Sequence, residues 1–337
     1  MAEQKAGGAN LVRLERLEVQ FPVRRGLFKV EMVTAVAGVS LTVRRGETVA
    51  VVGESGSGKT TLGRASIGLL RPTAGRVFFH ERDIAHFSAA QIRAYRRRVQ
   101  AIFQDPYASI DPFMSVFQAV EEPLVIHRIG SPSERRRRVL MALEAVRLTP
   151  AEEVSARYPH LLSGGQRQRL GIARALVLQP EYIVADEPVS MIDASSRAEI
   201  LNVLRELRQR FDIAFLYITH DIATARHFAQ RLVVMYLGRV LEEGEATRVI
   251  DYPLHPYTRA LIAAVPEPDP ANRLRERPTL PGEPPNPAQA PSGCPFYPRC
   301  PQYMPGTCEV ARPELLPVEP GHSVACYLYN GGRSSGC

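Results

Sequence analysis

The stretch from Val49 to Thr61, VAVVGESGSGKTT, constrains this chain more than any other. A buried apolar run enters a glycine-rich loop, and a helix is predicted to open at Lys59. The pattern Gly53-x-x-x-x-Gly58-Lys59-Thr60 is a P-loop. Its glycines let backbone N–H groups turn inward and approach a phosphate closely. The helix behind them presents its positive N-terminal end to the same anion. Gly53, Ser55, Gly56, Ser57, Gly58, Lys59, Thr60 and Thr61 are therefore the candidate phosphate cradle. Lys59 brings a point charge to the β- and γ-phosphates, and the Thr60 hydroxyl is a candidate Mg²⁺ ligand.

Length and composition set the frame. The 337 residues allow one large domain or two smaller ones. The opening MAEQKAGGAN has no apolar core, which predicts no secretory signal. Apolar runs such as IAFLYI and LVVMYL fall short of the ~20 residues that span a bilayer. These features predict a cytoplasmic protein whose membrane work, if any, needs other subunits. The net charge is +7, and much of the basic charge lies in Arg93–Arg98 and Arg135–Arg138. Such runs read as solvated helix faces; neither has the interleaved aromatics of a base-stacking platform.

Taken in order, Leu11–Phe21 alternates apolar residues and is predicted as a strand, Pro22–Lys29 as an exposed loop and Ala35–Val43 as a second strand. Phe21 is the candidate for stacking on adenine, with Phe28 as the spare. Short strands are predicted at Arg76–His80 and Val99–Phe103. The latter ends at Gln104 in IFQDPYASIDP, where a glutamine can reach a metal ion or water. Met114–Arg157 reads as mostly helical, an insertion within the nucleotide-binding unit. Leu162-Ser163-Gly164-Gly165-Gln166 then opens an apolar helix and suits a second phosphate cradle at a helix N-terminus. Glu181–Glu187, EYIVADE, is a buried strand ending in two carboxylates. Asp186 there can hold Mg²⁺ and Glu187 can polarise water. Asp193 closes a loop before a helix at Ser195–Phe211, and Ile213–Ile218 is a strand followed by His220. Gln104, Asp186, Glu187 and His220 thus all follow strands, as ligand contacts do in open α/β sheets.

The order P-loop, glutamine loop, LSGGQ, strand-DE, SxxD and strand-His resembles the ATP-binding subunits of ABC transporters over about residues 11–244. The resemblance implies an α/β P-loop NTPase: a RecA-like core, an antiparallel β-subdomain and a helical subdomain at about 106–161. It also implies a head-to-tail dimer in which LSGGQ of one subunit faces the P-loop of the other across ATP. On this basis Asp186 is the Mg²⁺ residue and Glu187 the general base. Gln104 senses the γ-phosphate, His220 contacts it, and Asp193 belongs to the loop that crosses the dimer. Met191-Ile192 replaces the more usual Ala-Leu there.

A narrower resemblance rests on IFQDPYASIDP, EPVSMIDAS, YPLHPYTRALIAAVPEPDP and GEPPNP…PSGCPFYPRCP. These are similar to the oligopeptide/dipeptide importer branch, and the GLF loop and DPYAS are closer to its F-type subunit than its D-type. The branch implies an ATPase that energises peptide import from the cytoplasmic face of the membrane. Its implied partners are a second, homologous ATPase subunit, two transmembrane permease subunits and an external solute-binding protein, with no nucleic acid. The alternatives are the same role in an oligosaccharide or nickel importer, or a soluble ABC ATPase acting on nucleic acid.

Residues 245–337 read as a small Pro/Cys-rich C-terminal extension. Val265–Pro301 holds twelve of the 28 prolines and is expected to run as a wrapped extended segment. Four cysteines, Cys294, Cys300, Cys308 and Cys326, are spaced C-x₅-C-x₇-C-x₁₇-C. In a cytoplasmic protein stable disulfides are not expected. Zinc usually takes a tighter knuckle, whereas an iron–sulfur cluster accepts looser spacing. The tail's resemblance to peptide-importer ATPases implies one [4Fe–4S] cluster at these four thiols, with Zn²⁺ as the alternative.

Overall fold

The computed structural model describes residues 10–25, 29–105, 110–265, 282 and 291–330. Two long strands come first, β1 (Asn10–Arg25) and β2 (Lys29–Arg44), then β3 (Thr48–Val52), the P-loop and α1 (Lys59–Ser66). β4 (Ala74–Phe79), β5 (Arg82–Asp83), α2 (Ala89–Arg98) and β6 (Val99–Ile102) follow. The helical stretch is α3 (Val116–Ile126), α4 (Pro132–Ala145), α5 (Ala151–Ser155) and α6 (Gly164–Leu176). Then come β7 (Tyr182–Asp186), α7 (Ala194–Phe211), β8 (Ala214–Thr219), α8 (Ile222–Phe228), β9 (Arg231–Tyr236) and β10 (Arg239–Glu245). The C-terminal part is α9 (Ala246–Asp251), α10 (Pro256–Ala263), β11 (Leu316–Glu319), β12 (His322–Val324) and α11 (Tyr327–Asn330).

The expected loop at Pro22–Lys29 is corrected. β1 runs to Arg25 and β2 starts at Lys29, so these strands extend beyond the alternating apolar stretch. Backbone pairing carried them past the point where the side-chain pattern stops. Phe28, the wrapped segment at 266–281 and 283–290, and Cys337 lie outside the described residues.

The chain divides into two compact units, each built from discontinuous segments. The first comprises Met1–Arg13, Thr42–Glu47 and Phe78–Tyr217. It carries the strand order β8-β7-β6, with β6 and β7 parallel and Val99 opposite Tyr182. Every residue of β7 and β8 is buried, as strands covered on both faces require. Ile200, Val203, Leu204 and Leu207 of α7 are buried at helical spacing. Each such side chain contributes roughly 1.5–3 kcal/mol. Capping boxes start three helices: Ser88 with Gln91, Ser115 with Gln118, and Ser163 with Gln166. In the second basic run Arg135 pairs with Glu121 at 2.8 Å and Arg138 with Glu134 at 2.7 Å.

The second unit comprises Leu14–Leu41, Thr48–Val77 and Ile218–Cys337. One sheet has the order β2-β1-β4. The other runs β11-β12-β10-β9-β3. β3 and β9 are parallel, whereas β9 and β10 form an antiparallel hairpin through Leu237 and Gly238, both at positive φ. β12 pairs antiparallel with β10, Val324 opposite Glu242, so the C-terminal extension adds strands to the sheet that holds the P-loop.

Candidate nucleotide site

β3 is buried throughout, and the chain leaves it at Gly53 with φ 151°. A Cβ at Gly53 would lie 2.1 Å from the Met235 carbonyl oxygen, and one at Gly58 (φ 98°) 2.1 Å from that of Ala35. Only glycine fits this close passage, which explains the sequence spacing physically. Ser57 and Lys59 are buried, Thr60 and Thr61 half-buried, and Ser55 and Gly56 exposed. Lys59 Nζ donates to the carbonyls of Gly53 and Glu54, both at 2.8 Å, and to Ser57 Oγ at 3.3 Å. The loop is thus tied to its own lysine. His220 follows β8 in this unit and is exposed. Phe21 lies on β1 with 38% exposure, so it is not a core strand residue.

The first unit gathers other predicted residues. Asp186 ends β7 and is buried; Glu187 follows at φ 47° and is half-buried. A non-glycine residue in the left-handed region stores strain, a recurrent feature of reacting groups. Gln104 Nε2 donates to Glu187 Oε2 at 3.1 Å, so the structure joins the glutamine loop to the expected general base. Leu162 is buried just ahead of α6. Ser163 Oγ accepts from Gln166 N–H at 3.2 Å, and Gln166 Oε1 accepts from Ser163 N–H at 3.0 Å. This box orients the first turn of α6, and Gly164 has no neighbour that a Cβ would meet. Asp193 caps α7, accepting from Ser196 N–H at 3.0 Å. Hydrogen bonds from Ser195 and Ser196 lower its pKa to about 2, so it stays ionised.

Two apolar residues near the start of the helical insertion differ sharply. Phe113 is 88% exposed, whereas Val116 is fully buried as the first residue of α3. Val116 belongs to the core, on the buried stripe of α3 with Ala119, Val120, Pro123 and Leu124.

The cysteines are free thiols; Cys294, Cys308 and Cys326 are buried and Cys300 is half-buried. Burial pushes the Cys294 thiol up to about 12 and Cys326 up to about 11, with smaller upward contributions from neighbouring cysteines. The four therefore share one neighbourhood. Among the described residues, however, no group of three or more His, Cys, Asp or Glu side chains is gathered closely enough to hold a metal ion. Neither the expected [4Fe–4S] cluster nor the Zn²⁺ alternative has a formed site among these residues.

Residues that sequence reasoning missed surround the start of the P-loop. Glu54 N–H donates to Tyr257 Oη at 2.8 Å, and Arg299 holds the Glu54 carboxylate with both Nη atoms, at 2.8 and 3.2 Å. These partners are 203 and 245 residues away in sequence, and no local signal marks them.

Residues 36–190 match the family described as ABC transporter, and residues 241–308 match the oligopeptide/dipeptide transporter C-terminal region. The class is thereby defined: a P-loop ATPase of the ATP-binding cassette kind. The oligopeptide transport ATP-binding protein AppF of Bacillus subtilis (strain 168) is 44% identical over 329 residues, covering 96% of this chain and 99% of its own. A Brucella ovis protein with the provisional name peptide import ATP-binding protein is 49% identical over 292 residues, 87% of this chain and 91% of its own. Among solved structures, the dimeric ATP-binding cassette MJ0796 bound to ADP and Pi aligns with TM-score 0.61 and 30% identity, over 70% of this chain and 99% of that one. The chain belongs to the ATP-binding subunits of ABC transporters, in the branch that carries the oligopeptide/dipeptide C-terminal region.

Proposed function

We propose that this ATPase energises the import of dipeptides or oligopeptides, as the F-type subunit of its transporter. The observation that carries this reading is the 44% identity to an oligopeptide transport ATP-binding protein across 96% of the chain, tail included. Within it, Lys59 binds the β- and γ-phosphates and Phe21 stacks on adenine. Thr60, Asp186 and Gln104 are the residues that would hold Mg²⁺, and the bound ion would neutralise charge on the phosphates. Glu187 takes the proton of the attacking water, and His220 contacts the γ-phosphate. Leu162–Gln166 of one subunit and the Asp193 loop complete the site of a second, homologous ATPase subunit. Two transmembrane permease subunits and an external solute-binding protein complete the assembly, with this chain at the cytoplasmic face of the membrane. No described helix is long and apolar enough to cross a membrane, which suits a subunit that relies on others for its spans.

The test is co-purification with the membrane subunits and reconstitution into vesicles. ATP-dependent uptake of a labelled oligopeptide is expected. Uptake of nickel or an oligosaccharide instead, or nucleic acid as the co-purifying partner, overturns the reading.

We propose also that Cys294, Cys300, Cys308 and Cys326 hold one [4Fe–4S] cluster, which when bound supplies a cross-link between four points of the tail. Its support is the burial of Cys294 and Cys326, with the other cysteines near enough to add to the upward shift of their thiols. Anaerobic purification should give a brown protein with about four irons per chain. Cys300→Ser should bleach it. A colourless anaerobic preparation ends this reading.

A further inference from the structure

Glu54 is an odd residue to find in a loop that receives a polyanion. Its carboxylate sits in the Gly53–Gly58 segment, five residues before Lys59. Left unpaired, it would repel the phosphates that the loop exists to hold. Every polar group of Glu54 has a partner. Its carbonyl accepts from Lys59, its N–H donates to Tyr257 Oη, and its carboxylate is gripped by the Arg299 guanidinium. Arg299 is only 7% exposed and also donates to Tyr236 Oη at 3.3 Å.

The arginine is held firmly. It ends a short turn, Tyr297–Arg299, between Cys294 and Cys300. Phe296, fully buried, packs against Tyr236 and Tyr257 with ring centroids 5.5 and 5.3 Å apart. Tyr236 and Tyr257 pack on each other at 4.7 Å. Two of these aromatics come from β9 and α10, and Phe296 comes from the cysteine-bearing tail. Together they aim the guanidinium at the first turn of the P-loop.

Lys59 has a second task. Reaching a phosphate requires its ammonium to give up the Gly53 and Glu54 carbonyls. The start of the loop then stays anchored through Tyr257 and Arg299. We propose that Arg299 is a positioning residue for the nucleotide: it neutralises Glu54 and, with Tyr257, holds the P-loop open, so that the C-terminal extension sets ATP affinity without touching ATP. This rests on the reading of Gly53–Thr61 as the ATP cradle.

The test is equilibrium binding of MgATP to the full chain, with steady-state hydrolysis in the assembled transporter. Arg299→Ala should weaken MgATP binding about tenfold, the scale of one charge-assisted pair. The KM for ATP should rise in step, with kcat changed less than about twofold. Glu54→Gln alone is the baseline against which the double variant is read. The double variant Arg299→Ala/Glu54→Gln should recover most of the lost affinity, because the unpaired charge is gone. A merely structural role for Arg299 predicts no such rescue. Native affinity in Arg299→Ala, or a double variant as weak as the single, overturns the proposal. Should Arg299→Ala fail to fold, Arg299→Lys carries the test. It keeps the charge but loses the two-pronged grip, and about a threefold loss is expected; an unchanged affinity overturns the proposal. Lys59→Ala is the separate control: if it binds MgATP normally, the cradle reading itself fails, whatever Arg299 does.

Discussion

Replacing Glu242 by alanine should loosen the C-terminal extension from the sheet that bears the P-loop. Glu242 lies in β10 with no exposure, opposite Val324 of β12. Its carboxylate accepts from Leu254 N–H at 2.7 Å, from His255 N–H at 2.9 Å and from His322 Nε2 at 2.7 Å. The alanine variant strands three donors at once, two of them buried and that of Leu254 partly buried. One such donor left unmade costs about 1–3 kcal/mol. Relaxation and entry of water keep the sum below three full penalties, so the loss should be about 3–5 kcal/mol, the range for breaking a buried pair. At roughly 2 °C per kcal/mol for a chain of this size, the melting midpoint should fall by about 6–10 °C. Glu242→Gln should lose less, because its one oxygen still accepts. A thermal melt gives the magnitude, and limited proteolysis gives the location: cleavage within residues 291–330 should quicken most. A midpoint shift under about 2 °C, or a tail no more sensitive than before, would refute the view that this carboxylate fastens the extension.

Glu187→Gln should still bind MgATP but hydrolyse it at least about 100-fold more slowly, since the carboxamide cannot take the proton of water; native turnover in the assembled transporter would remove Glu187 from that role. A charged residue at Phe113, 88% exposed, should uncouple hydrolysis from uptake without harming ATP binding, whereas the same change at buried Val116 should unfold the helical region; equal effects on both properties at Phe113 would count against a membrane-subunit contact there. His255 is fully buried, and burial, with a smaller contribution from Arg259, lowers its pKa from 6.5 to about 3. The unfolded chain therefore takes up a proton first as the pH falls: the stabilisation is present above 6.5 and is lost from 6.5 down toward 3, on the order of 1 kcal/mol per pH unit. His255→Asn, which does not titrate, should flatten that dependence in urea melts between pH 6.5 and 5; an unchanged slope would rule His255 out as its source.

Local chemistry was legible in the sequence wherever it is set by neighbours along the chain. The P-loop glycines, the Ser163 cap, the all-apolar strands ahead of Asp186 and His220, and the apolar stripe of α7 all follow from spacing. Backbone sterics and a period of 2 or 3.6 residues act over a few residues. The pairing of β1 with β2 was only partly legible, because backbone pairing extends strands past their side-chain pattern. Tertiary structure alone decided what spans long separations. It buried Val116 while exposing Phe113, turned Gln104 onto Glu187, paired β12 with β10 and brought Arg299 to Glu54. A carboxylate inside a phosphate loop is unremarkable as a letter in GESGSGKTT. Its partner is chosen by folding, because charge neutralisation in a buried place depends on distance through space, and an arginine 245 residues away carries no mark of that distance in the sequence.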